Sequence, residues 1–233
     1  DALPIYKRNG SREMIITIDI ETDYSHDPSV FERVCSKVTP PANYKSKEAI
    51  EKWWIEKGND QKVEAQRKTA LEPLYGSVKM IGYAINDNPS QIIAGDEKSV
   101  LEAFFEMMDA LHQPDVDGVA FVPVIVGHNV KVFDLTFIRK RALILSVKMP
   151  SWMNVYYTRY SSDVFDTQIE WSGQFAYGAA GYVKLDNLAF ALLGETKSSD
   201  GAASLDMSDA ECAEYCKHDV DITRKIYQRM TGA

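Results

Sequence analysis

The sequence predicts a three-layer α/β fold built on a mixed sheet, and three observations carry that expectation. Met14 to Ile18 and Phe121 to Val126 are almost wholly apolar and β-branched, as strands covered by helices on both faces are. Gly76 to Ile85 turns through Asn86-Asp-Asn-Pro89 and returns as Gln91 to Ala94, the pattern of an antiparallel hairpin. Helical segments alternate with these strands, which favours a sheet flanked by helices over an all-β or all-α domain.

Taken in order, the chain opens with a polar stretch, Asp1 to Glu13, read as an extension or linker ahead of a single domain at 14–233. The first strand runs into acid: Asp19 and Glu21 are two residues apart, so both side chains leave the same face at its C-terminal end. Two like charges there repel, and a divalent cation with its preference for oxygen ligands would relieve them. A helical insert is expected at about 24–75, with one helix over Lys47 to Lys57 stopped by Gly58 and a second over Lys62 to Leu71. Trp53 and Trp54 within it suit base stacking in principle, but packing of the insert is the more economical use of them.

After the hairpin, Asp96 is placed to cap a helix over Ser99 to His112, whose Val100, Leu101, Phe104, Phe105, Met108 and Leu111 form one apolar face. The strand over Phe121 to Val126 ends in Gly127-His-Asn-Val-Lys-Val-Phe-Asp134, and a helix follows over Leu135 to Ser146. Asp134 fits either a helix cap or a site residue at the carboxyl end of a strand, where open α/β sheets place their sites. A further strand is expected between Val155 and Thr167, then a short helix stopped by Gly194, a polar loop over Glu195 to Ser204, and a long helix over Ser208 to Met230. Tyr215 and Asp219 lie one turn apart on that helix.

Bulk properties narrow the function classes. A formal net charge of -8 over 233 residues argues against sequence-independent coating of nucleic acid, but not against a substrate held through metal ions. The three cysteines show no disulfide framework, and Cys212, Cys216 and His218 lack the fourth ligand of a zinc site. With no transmembrane-length apolar run and no signal-peptide core, a soluble, cytoplasmic protein without a membrane partner is expected.

Asp19-x-Glu21 on a first strand, Asn129-x-x-x-Phe133-Asp134 at a strand-to-helix junction and Tyr215-x-x-x-Asp219 on a C-terminal helix, in that order, resemble the DEDD exonuclease superfamily. The tyrosine makes the chain similar to the tyrosine subclass; the His-x-x-x-x-Asp version is absent, since Thr223 stands five residues after His218. Asp-Ile-Glu-Thr22, the Leu185-to-Gly194 helix, Asp200-Gly201 and Tyr-Cys-Lys-His-Asp-Val220 further resemble stand-alone exonucleases related to the proofreading domain of family-B DNA polymerases.

That resemblance spans about Met14 to Met230 and implies an RNase H-like fold with a five-stranded sheet. It also implies two divalent ions, Mg2+ or Mn2+, and 3′-to-5′ removal of nucleotides from single-stranded or frayed DNA ends. By the same similarity, Asp19 bridges both ions, Glu21 and Asp219 complete the water-activating site, and Asp134 serves the second ion largely through water. Tyr215 orients the attacking water, and Thr22, Asn129 and Phe133 are candidates for holding the terminal nucleotide. The partner implied is a nucleic-acid 3′ end, DNA ahead of RNA, in the setting of a polymerase or a replication or repair assembly. An exoribonuclease and a non-catalytic nucleic-acid-binding module of the same fold are the competing expectations.

Overall fold

A computed structural model describes residues 6–8, 11–112, 114, 122–158, 161–173, 182–196 and 201–232. In chain order the strands and α-helices are β1 (Tyr6–Arg8), β2 (Ser11–Glu13), β3 (Ile15–Asp23), α1 (Pro28–Cys35), α2 (Lys47–Trp53), α3 (Asn59–Arg67), β4 (Ser77–Ile85), β5 (Gln91–Ala94), α4 (Glu97–Leu111), β6 (Val124–Gly127), α5 (Asp134–Ile144), β7 (Val164–Asp166), α6 (Thr167–Ser172), α7 (Leu185–Leu193) and α8 (Asp209–Thr231). The chain divides into two compact units, one of Asp1–Glu21 with Val78–Ala233 and the other of Thr22–Ser77.

The larger unit is built on a five-stranded mixed sheet in the order β5-β4-β3-β6-β7. β3, β6 and β7 are parallel, with Thr17 opposite Val126 and Gly127 opposite Asp166; β4 and β5 are antiparallel. Period-two alternation gives β3 two different faces. Ile16, Ile18 and Ile20 enter a core with Leu101, Phe104 and Met108 of α4 and Leu135, Phe137 and Ile138 of α5. Ile15, on the opposite face, packs with Tyr227 of α8 and with Val124 and Val126 of β6. The result is the expected α/β architecture, a mixed five-stranded sheet flanked by helices and compatible with an RNase H-like fold.

Helix ends follow their cap chemistry. Asp96 accepts from the Ser99 amide to start α4, and Ser208 and Glu211 form a capping box that starts α8. Gly194 ends α7 in the left-handed conformation at φ 72°. α8 buries Cys212, Tyr215, Cys216, Asp219, Ile222, Thr223 and Ile226, a stripe at three- and four-residue spacing. Gly82 of β4 lets this stripe sit close: a Cβ there would stand 2.6 Å from Cys216 Sγ.

One ion pair ties the α4 side together. Arg141 of α5 donates through Nε and Nη2 to both oxygens of Glu97, at 2.8 and 2.7 Å, and Glu97 also accepts from the Val78 amide at 2.7 Å. Both side chains are largely sequestered, at 10% and 14% exposure, so breaking the pair strands a charge rather than releasing it to water. Arg141→Met is therefore expected to cost about 3 kcal/mol, read by urea unfolding at pH 7. A cost under about 1 kcal/mol would place the pair among ordinary surface bridges.

In the larger unit the structure adds to or differs from the sequence expectations in four places. Residues 6–8 and 11–13, read as a polar extension, pair as a two-stranded antiparallel sheet. β6 begins at Val124, two residues after Val122, and Phe121 lies outside the described residues. Between Val155 and Thr167 only Val164–Asp166 is strand; Ser151–Tyr157 coils as a 3-10 turn, with Met153 and Tyr156 buried and the Tyr156 hydroxyl donating to the Pro123 carbonyl. The polar loop over Glu195 to Ser204 lies partly outside the described residues, and Gly201–Asp206 forms a 3-10 turn.

The smaller unit holds α1 to α3. α1 has no counterpart in the sequence reading, although Asp27 caps it and Pro28 opens it, a recognisable start signal. Gly58 does not stop a helix: a π turn over Trp54–Gly58 joins α2 to α3, and Gly58 itself is right-handed at φ -59°. Its missing side chain leaves room for the Trp54 ring, which a Cβ would meet at 2.4 Å. Trp53 is buried, edge-on to Trp54 and Tyr44, so its ring serves packing within this unit.

Candidate metal centre

At the C-terminal end of β3 the odd-numbered residues that face α8 turn from apolar to acidic. Asp19, Glu21 and Cys216 each offer a ligand atom, and these atoms lie within 4.8 Å of one another. Cys216 Sγ stands 3.6 Å from Asp19 Oδ2 and 3.7 Å from the Asp19 carbonyl oxygen. The paired carboxylates thus share a face, as their spacing requires, and α8 lies against them.

Asp134 approaches from the other side of β3's end. It is the first residue of α5, and Phe133 occupies the N-cap without a side-chain cap bond, so capping of α5 is not its work. Its Oδ1 instead accepts the Ile20 amide at 3.1 Å, across 114 residues of chain. Burial pushes the Asp134 carboxyl up to about 7; the Asp166 and Glu21 charges add to the rise, and hydrogen bonds from its own amide and that of Ile20 oppose it.

Tyr215 and Asp219 are both buried on α8, flanking Cys216 along the helix. Asp134 and Asp219 fall outside the three-residue group that meets the 4.8 Å limit. Thr22 is buried near the end of β3. Asn129 holds a left-handed conformation at φ 59°, which asparagine tolerates, in the turn between β6 and α5. Phe133 packs partly buried against the sheet core, 5.5 Å from the Phe137 ring.

Two contributors went unnoticed in the sequence. The sequence sets Cys216 beside Cys212 and His218 as an incomplete zinc site, whereas its spacing of three residues from Asp219 puts those two on one helical face. Burial and the Asp19 and Glu21 charges drive its thiol well above the usual range, so it remains a neutral thiol. Asp166, the last residue of β7, has no role in the sequence expectations, and it is a buried carboxylate receiving four backbone amides.

The donor chemistry fits a hard divalent cation. Carboxylate oxygens are the ligands that Mg2+ and Mn2+ favour, and Asp19 and Glu21 supply them. Among the described residues, no helix is long and apolar enough to cross a membrane.

The chain thus combines an α/β fold on a mixed sheet with two carboxylates at the end of its central strand. Among solved structures, the chain is similar to the structure of the family B DNA polymerase from the hyperthermophilic archaeon Pyrobaculum calidifontis, with a TM-score of 0.54 and 15% sequence identity. The match covers 97% of this chain and 25% of that one, and it is a likeness of fold. No protein-family model and no curated protein matches the sequence.

Proposed function

We propose that this protein is a metal-dependent 3′-to-5′ exonuclease that removes nucleotides from single-stranded or frayed 3′ ends of DNA and releases 5′-mononucleotides. The observation that carries it is the meeting of Asp19 and Glu21 beneath α8, on a fold similar to part of a DNA polymerase. Asp19, Glu21, Asp134 and Asp219 are the residues that would hold two ions, Mg2+ or Mn2+. When bound, such ions supply water activation and stabilise charge on the leaving 3′ oxygen during in-line attack on phosphorus.

The chain's own groups do the rest. The Tyr215 hydroxyl hydrogen-bonds the attacking water and holds its lone pair toward phosphorus, a matter of orientation more than of basicity. Thr22, Asn129 and Phe133 hold the terminal nucleotide. Cys216, uncharged, lies beside the acids without adding to their repulsion.

A 5′-labelled strand incubated with Mg2+ or Mn2+ should give a descending ladder, tested beside 3′-labelled single strands, duplex DNA and RNA. Undiminished hydrolysis in excess chelator, or digestion from the 5′ end, overturns the proposal; preference for RNA replaces DNA by RNA as its substrate. Tyr215→Phe should slow the single-turnover rate by about tenfold to a thousandfold while affinity for a non-cleavable strand holds, because only one hydroxyl is lost. An unchanged chemical rate in that variant removes the tyrosine from the mechanism.

A further inference from the structure

We infer that Asp166 is a positioning residue, one whose carboxylate fixes the turn that delivers Asp134 to the end of β3. Its Oδ1 accepts from the amides of Asn129 at 3.0 Å, Gln168 at 3.1 Å and Ile169 at 3.3 Å, and its Oδ2 accepts from the Lys131 amide at 3.0 Å. The bonds to Gln168 and Ile169 cap α6, and they use Oδ1 alone. The bonds to Asn129 and Lys131 reach back 37 and 35 residues into the turn between β6 and α5.

That turn is tied by hydrogen bonds to the start of α5. The Phe133 amide donates to the Asn129 carbonyl at 2.9 Å, the Leu135 amide to the Val130 carbonyl at 3.0 Å, and Thr136 Oγ1 to the Lys131 carbonyl at 2.9 Å. Asp134 sits inside this knot, and its Oδ1 is in turn joined to the Ile20 amide. Fixing the amides of residues 129 and 131 therefore fixes where Asp134 meets β3.

Capping alone does not account for a carboxylate here. Asparagine caps a helix about as well as aspartate and brings no charge, whereas Asp166 is 1% exposed and its charge acts on Asp134. What the carboxylate adds is a second acceptor oxygen, and Lys131 takes it. Four amides around one buried anion also meet the requirement that such a charge be hydrogen-bonded.

The catalytic consequence of this role rests on the nuclease reading; the positioning itself does not. The test uses Asp166→Ser, which keeps an α6 cap but is too short to hold both turn amides, and Asp166→Asn, which presents an NH2 group to the Lys131 N–H. Amide hydrogen exchange is followed at Lys131 and at Ile20, the latter reporting whether Asp134 stays in place. Both amides should exchange about tenfold faster or more in Asp166→Ser, the scale of one lost hydrogen bond. The Mg2+ concentration for half-maximal single-turnover cleavage should rise by a similar factor, well below the melting temperature.

Faster exchange at Lys131 with Ile20 unchanged overturns the inference, because Asp134 is then held without Asp166. No change at either amide overturns it too. Should Asp166→Ser not fold, Asp166→Asn gives the same two readings. A wild-type protein without nuclease activity overturns the nuclease reading, and the exchange data still decide the positioning.

Discussion

Asp19→Ala and Asp219→Ala are expected to lower turnover by about a thousandfold or more while leaving the fold intact. Each removes a carboxylate proposed to hold a metal ion, and losing one preorganised electrostatic partner of a transition state costs on this scale. Asp19→Ala also removes a negative charge from beside Glu21, and Asp219→Ala removes one from a buried position on α8, so in chelator the melting temperature should hold or rise. Single-turnover rates measured beside thermal unfolding decide between a site and a scaffold. A steep fall in melting temperature together with lost activity would make these residues structural.

With divalent ions removed, the protein should be markedly more stable at pH 5 than at pH 7.5. The Asp134 carboxyl moves from an ordinary value of 3.8 to about 7, chiefly through burial. Between those values the native state binds a proton that the unfolded chain has given up, so stability falls as pH rises through that window and levels off above it. Between pH 5 and pH 7.5 the difference corresponds to about 2 to 3 kcal/mol. Asp134→Asn keeps the oxygen that accepts the Ile20 amide and removes the charge. It should therefore unfold at a higher temperature than wild type at pH 7.5 in chelator, with little gain at pH 5. Saturating Mg2+ should narrow the gap, since a cation favours the ionised form. Equal wild-type stability at both pH values, with no gain in the Asn variant, would show that Asp134 is ionised at no cost.

What could be read from the sequence was local and periodic. Alternation along Ile15–Asp23 put Asp19 and Glu21 on one face, the apolar stripe of α4 was legible down to its Asp96 cap, and the strand-turn-strand of β4 and β5 announced itself in Asn86-Asp-Asn-Pro89. The contacts that complete the candidate site were not legible, because they join distant stretches. Cys216 reaches Asp19 across 197 residues, and Asp166 reaches Asn129 across 37. Neither pairing has a local signature: a buried cysteine resembles any small apolar residue, and an aspartate before a helix resembles a cap. Gly58 misled for a related reason. Glycine commonly ends helices through its left-handed freedom, but here it is used for its lack of bulk beside Trp54.

The close approach of β4 to α8 ties the size allowed at position 82 to the side chains at 216 and 220. A methyl group at 82 would collide with Cys216 Sγ at 2.6 Å and crowd Val220 Cγ2 at 3.0 Å, so residue 82 cannot enlarge unless both neighbours give way. Because Cys216 also borders Asp19, bulk added at 82 would be passed on to the acid: the one hydrogen atom that glycine carries in place of a side chain sets how near α8 can bring its thiol to the carboxylates.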